Sequence, residues 1–264
     1  MSSTAPSPLD GTEITYDVSG LDGGEPVVLV HGITESSASW APIVERLAPT
    51  NRVITLDLRG HGSSGTADRY DLGAMAADVI GVAMAAGADR PHLVGHSLGG
   101  AVVSAVGAAV PVATVVNVDQ SLQLGAFKAQ LMDFEAQLRD PDAFALVIGA
   151  MFEMMAGALA GTPEFERITG ERRPDQQVVL GVWEMLLTMP EAEVNAVVEG
   201  ALAGYDGVDV PYLSLFGIDP GPGYGDWLAG HIAGAVTEVW PDQGHYPHLV
   251  DPDRFVDRLR SFWS

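Results

Sequence analysis

Apolar residues in this chain fall into two kinds of run. Short, β-branched runs recur at residues 14–18, 27–30, 53–57, 92–95, 114–119, 212–216 and 236–240. Several are apolar at every position, as in Val27-Val28-Leu29-Val30, where a half-exposed strand would alternate. That is the pattern of a strand covered on both faces. Between them lie longer stretches rich in Ala, Val and Leu, at 42–47, 72–86 and 98–109, which read as helices. Strands alternating with helices predict an α/β fold, a mostly parallel sheet flanked by helices on both sides. Ligands of such sheets sit at the carboxyl ends of the strands.

The alternation breaks after the strand that ends near Asp119. From there to about residue 205 the chain has little β character and reads as several helices, with loops at Asp140-Pro141, Gly161-Thr162-Pro163 and Arg172-Arg173-Pro174. We divide the chain accordingly: residues 1–121 and 206–264 form the core, and residues 122–205 form an inserted helical cap. The longest apolar stretch, 143–161, could almost span a bilayer, but Glu153 sits in its middle. A buried or cleft-lining helix is the more economical reading. Six methionines fall in the insertion: Met132, Met151, Met154, Met155, Met185 and Met189. They read as core filling or as the soft wall of a pocket for an irregular apolar ligand.

Composition narrows the partners. A hydrophobic content of 47% with 18% charged residues indicates a globular chain. The formal net charge of −22 argues against nucleic acid and anionic membranes. With no cysteine, disulfides, thiolate metal sites and cysteine nucleophiles are excluded. Residues 1–11 have neither a basic region nor an apolar run, so no signal peptide is expected and a cytoplasmic location is. No His and carboxylate spacing suits a metal, and no cofactor is expected. The oligomeric state stays open.

Chemistry concentrates at Gly95-His96-Ser97-Leu98-Gly99. A serine between two glycines, after an apolar strand and before a helix, is the context of a nucleophile elbow. Glycines are needed because a Cβ on either flank of so tight a turn would meet backbone. Three more motifs close strands: Val30-His31-Gly32-Ile33, Asp57-Leu58-Arg59-Gly60-His61-Gly62, and Gly244-His245-Tyr246-Pro247-His248. In this order they resemble an α/β-hydrolase of the capped esterase and C–C hydrolase type, over the chain from about residue 14 to the end.

The resemblance implies roles. Ser97 would be the nucleophile and His245 its base, with His248 the alternative. The backbone N–H groups of Ile33 and Leu98 would form the oxyanion hole. A carboxylate must orient the histidine. Asp219, in Gly217-Ile218-Asp219-Pro220, stands where the family usually carries it, and Asp119 is where some relatives carry it. Gly32, Trp40, Met154 and Trp183 are candidate substrate contacts, although Trp40 also reads as core. His61, His96 and Arg59 read as loop braces.

The implied reaction is hydrolysis of a carboxylic ester or lactone of a hydrophobic small molecule through an acyl-enzyme. Two alternatives remain. One is a C–C hydrolase, which would need a cationic clamp from Arg139, Arg167, Arg172 or Arg173. The other is a small-molecule-binding protein on the same scaffold.

Overall fold

The computed structural model describes residues 2–264. Eight strands form one sheet: β1 (Ser3–Pro6), β2 (Glu13–Gly20), β3 (Glu25–Val30), β4 (Asn51–Leu56), β5 (His92–His96), β6 (Thr114–Val118), β7 (Tyr212–Phe216) and β8 (Val236–Val239). Their order is β1-β2-β4-β3-β5-β6-β7-β8. β2 is antiparallel to both its neighbours, and every pair from β4 to β8 is parallel. The fold is thus the expected α/β sheet, mostly parallel.

One strand has no signature in the sequence. β1 buries Ala5 and exposes Ser3, Thr4 and Pro6, so it carries no hydrophobic pattern. It adds to the sheet edge through backbone pairing with β2, a place where a proline is tolerated.

The helices are α1 (Ala41–Leu47), α2 (Leu72–Ala85), α3 (Leu98–Ala109), α4 (Gly125–Asp133), α5 (Glu135–Arg139), α6 (Pro141–Met155), α7 (Pro163–Glu171), α8 (Gln176–Thr188), α9 (Glu191–Leu202), α10 (Tyr224–His231), α11 (Pro247–Val250) and α12 (Pro252–Trp263). Among the described residues no helix is long and apolar enough to cross a membrane.

The all-apolar strands divide their side chains between two cores with period two. Val28, Val30, Ile54, Leu56 and Leu93 point to the face covered by α2 and α3, against Met75, Val79, Val102 and Val106. Val27, Leu29, Val53, Val94 and Val116 point to the other, against Ile43 and Leu47 of α1 and Phe255 and Leu259 of α12. A third apolar cluster joins α4 to α9 with Ile33 and Tyr246, from loops at the ends of the strands, and with Leu249 of α11. The helical segment between β6 and β7 therefore packs on the carboxyl ends of the strands.

The strand order reverses at β3, because β4 lies on one side of it and β5 on the other. The loops leaving β3 and β5 diverge there, which opens a crevice at the carboxyl ends. Ile33 lies on the first loop and Ser97 on the second.

Candidate active site

Ser97 joins β5 to α3 with φ +52° and ψ −125°. A non-glycine residue so placed is strained by roughly 1–3 kcal/mol, and such strain persists only where the surroundings enforce it. Here they do. The Ser97 N–H donates to the Val118 carbonyl at 2.9 Å, and the Ser97 carbonyl accepts from Gly100 N at 2.7 Å. A Cβ on Gly95 would collide with the Gly99 carbonyl, and one on Gly99 with the Val30 and His31 carbonyls. The turn can be this tight because both flanks lack a side chain.

The Leu98 N–H is among the unpaired donors at the start of α3. Together with the Ile33 N–H, it donates to no other backbone or side chain among the described residues. His31 fixes the turn that carries Ile33. Its Nδ1 is 2.7 Å from the Gly32 carbonyl, and its Nε2 accepts from Leu58 N at 3.0 Å. Those contacts define the tautomer, with the proton on Nδ1. Burial holds this imidazole below its ordinary pKa.

His245 places Nδ1 2.6 Å from Asp119 Oδ2. Asp119 Oδ1 accepts from Gly217 N at 2.7 Å and Ile218 N at 3.0 Å. The Asp119 backbone has φ +55°, which turns its carboxylate from β6 toward the end of β7. Burial lowers the His245 pKa, with Asp119 pulling the other way, so the ring is neutral near pH 7. A neutral ring that donates Nδ1–H to Asp119 keeps its Nε2 lone pair free.

Asp219 is not brought to the histidine. It is exposed at the cavity rim, where its Oδ1 accepts from Gly221 N at 2.8 Å, an Asx turn in the Pro-Gly run. Of the two candidate acids, Asp119 and not Asp219 meets His245, although Asp219 holds the family's usual place. His248 is also removed from the site. It is buried with neither ring nitrogen hydrogen-bonded, and it packs between Trp40 and His96 with centroids 4.8 and 4.5 Å away.

Ile33, Ser97, Leu98, Asp119 and His245 line one cavity of about 870 Å³. Helices α4, α6 and α8 wall it with Phe127, Met151, Met155 and Trp183. Trp183 meets Phe127 edge-on, with centroids 5.7 Å apart.

Three candidate contacts do not line the cavity. Met154 is 67% exposed, because Phe144, Ile148, Met151 and Phe152 take the inner face of α6. Trp40 is fully buried on the α1 and α12 side of the sheet. Gly32 lies behind the elbow, and a Cβ there would meet His96 Nδ1 and Ser97 Cβ at 3.2 Å.

The braces fall where the sequence suggested. Arg59 is buried and grips Asp78 with two hydrogen bonds, at 2.6 and 2.7 Å. His61 Nδ1 is 2.9 Å from the Arg59 carbonyl. His96 Nε2 reaches the His245 carbonyl at 2.8 Å. Sequence reasoning passed over Glu35, a buried carboxylate three residues after Gly32. In a Thr-Glu-Ser-Ser turn an acid reads as solvated, and nothing local signals otherwise.

Residues 27–258 match the family model described as alpha/beta hydrolase family. The chain is 30% identical over 257 residues to the pimeloyl-acyl-carrier-protein methyl ester esterase of Neisseria meningitidis, across 91% of this chain and 94% of that protein. A 43% identical match, to the dihydrolipoyllysine-residue acetyltransferase component of the acetoin cleaving system of Pseudomonas putida, spans 31% of this chain and only 23% of that protein's length. The crystal structure of an esterase from Rhodococcus sp. ECU1013 superposes with a TM-score of 0.72 at 28% identity, covering 99% of this chain and 98% of that one. A match along most of its length, joined to a fold of the same plan, means that this chain belongs to the alpha/beta hydrolase family.

Proposed function

We propose that this protein hydrolyses carboxylic esters or lactones of hydrophobic small molecules through an acyl-enzyme on Ser97. The observation that carries the reading is one cavity, walled by apolar side chains, whose floor holds a strained serine and an Asp119–His245 pair. His245 Nε2 takes the Ser97 proton as Oγ attacks the carbonyl. The oxyanion that forms is held by the Ile33 and Leu98 N–H groups. His245⁺, stabilised by Asp119, then protonates the leaving alcohol. In the second half, His245 activates a water that releases the acid. Residues 122–205 act as a cap that supplies the apolar wall.

The cavity favours neutral substrates. Its only Arg or Lys among the described lining residues is Arg69, which is paired with Asp71 at 2.8 Å. None of the four arginines considered as a carboxylate clamp reaches the cavity. Arg139 pairs with Glu135, Arg167 with Glu164 and Glu171, Arg172 with Glu35, and Arg173 bonds backbone carbonyls. A C–C hydrolase acting on acidic ring-fission products would lack its anchor. The esterase relatives support the same choice.

The test is treatment with a fluorophosphonate, read by intact mass, followed by a panel of p-nitrophenyl esters and lactones. The expected result is one adduct on the wild type, none on Ser97→Ala, and turnover of neutral apolar esters. A folded wild type that takes no adduct and turns over no ester would overturn the proposal.

A further inference from the structure

A buried carboxylate lies just behind the cavity. Glu35 has a side chain only 3% exposed. Its Oε2 accepts from Gly32 N at 3.3 Å and lies 3.5 Å from His96 Nδ1. Its Oε1 is 3.4 Å from Arg172 Nη2, and the same nitrogen donates to the Tyr246 hydroxyl. The Arg172 guanidinium also stacks over the Phe152 ring at 3.7 Å. Three residues of this cluster are chain neighbours of proposed catalytic groups. Gly32 precedes Ile33, His96 precedes Ser97, and Tyr246 follows His245. The fourth, Arg172, ends α7 of the helical segment. One carboxylate thus touches the Ile33 turn and the elbow directly, and reaches the histidine loop through Arg172 of the segment that walls the cavity.

Stability is a poor reason for such an arrangement. A buried ion pair is at best neutral against packed apolar residues of similar size. The geometry here is single-contact, without the bidentate fork that makes Arg pairs strong. Burial opposes the charge on Glu35, but His96, Arg172 and His31 outweigh it and hold the carboxyl well below the usual range. Glu35 therefore stays anionic, and Arg172 offsets its field close to the place where the oxyanion would form.

We infer that Glu35 is a positioning residue, which holds the Gly32-Ile33 turn in register with the elbow and the histidine loop, and that Arg172 docks the helical segment onto it. The inference rests on the hydrolase reading of the site. The docking of the segment and the placement of the Ile33 turn then depend on one contact. Two more contacts tie the same surfaces together: Arg173 N donates to the Thr34 carbonyl at 3.3 Å, and His245 N to the Met155 carbonyl at 2.8 Å.

The experiment compares wild type, Glu35→Gln, Arg172→Met and the double variant. The readouts are the rate of fluorophosphonate labelling, kcat and KM on one neutral ester, the pH profile of kcat/KM, and the melting temperature. Deleting an oxyanion donor outright costs about 10²–10³ in rate. Misplacing one is expected to cost roughly 10- to 100-fold in labelling and kcat, with KM little changed. The double variant is expected to be no slower than the slower single one, because both act through one contact.

The pH profile separates positioning from mere structural support. The groups facing His245 are Asp119, His96, His248, Tyr246, Glu35 and Arg172. Removing the Glu35 charge lowers the His245 pKa and moves the acid limb to lower pH; by the same electrostatics, removing the Arg172 cation is expected to move it the other way. If Glu35→Gln does not fold, Arg172→Met carries the same readouts. A reactive wild type whose folded variants stay within threefold, with unmoved acid limbs, would overturn this inference alone. An inert wild type would overturn the hydrolase reading and this inference with it.

Discussion

Replacing Asp119 by asparagine changes one atom and should nearly abolish turnover. Asp119 Oδ1 accepts two backbone N–H groups, from Gly217 and Ile218, at 2.7 and 3.0 Å. An asparagine must keep its amide oxygen there, because its NH₂ cannot accept from donors. The NH₂ then faces His245 Nδ1, now 2.6 Å from Asp119 Oδ2. Two donors cannot face each other, so the imidazole adopts the tautomer with its proton on Nε2. The base has then lost its lone pair toward Ser97. Loss of the right tautomer in a serine triad costs about 10⁴ in kcat, equivalent to about 5 kcal/mol of transition-state stabilisation. Asp219→Ala removes only an exposed turn bond, to Gly221 N. It should leave kcat/KM within about threefold and cost no more than about 1 kcal/mol of stability. The assay is kcat/KM on a p-nitrophenyl ester, with melting curves to show that both variants fold. Asp119→Asn within tenfold of wild type, or Asp219→Ala equally impaired, would refute the reasoning.

Other outcomes follow from the same contacts. Ser97→Gly should abolish fluorophosphonate labelling yet raise the melting temperature by about 2–4 °C, because glycine adopts the Ser97 backbone angles without strain; an unchanged or lower melting point would refute the strain argument. Trp183→Leu opens the cavity wall beside Phe127 and should raise KM for long-chain esters about tenfold, while leaving acetate esters within about twofold; equal changes for both would place the acyl chain elsewhere. Burial lowers His61 to a pKa of about 4, so between pH 6.5 and 4 the unfolded chain binds the extra proton. Stability should be complete above pH 6.5 and fall by up to about 3 kcal/mol as pH drops to 4, a loss that His61→Gln should reduce in pH-dependent denaturant titrations.

The acid behaviour has company, since burial also lowers His31, His245 and His248. All four lie in or beside the loops at the carboxyl ends of the strands. Acid should therefore loosen the site along with the fold. In the catalytic assay this would sharpen the fall in rate below the pKa of His245.

Local rules were enough for much of this protein. Val27 to Val30 read as a doubly covered strand because side chains alternate faces and no position is polar. The elbow was legible because Gly95 and Gly99 answer a steric demand within five residues. The brace roles of Arg59 and His61 were suggested by their place in the loop after β4, although the partners of Arg59, Asp78 and Asp10, lie outside it. The helical segment was marked by the loss of β-rich runs. What stayed hidden depends on where separate elements meet. Asp119 and Asp219 are both aspartates at strand ends, and their sequences permit either as the acid. Asp119 is the one that meets His245, oriented by its positive φ and by two N–H groups that lie 98 and 99 residues further along the chain. Met154 was misplaced, and Trp40 read as either contact or core, because an apolar residue reports that it avoids water, without naming the surface that covers it. Glu35 was missed for the converse reason. A charge reads as exposed until an arginine 137 residues away is packed against it.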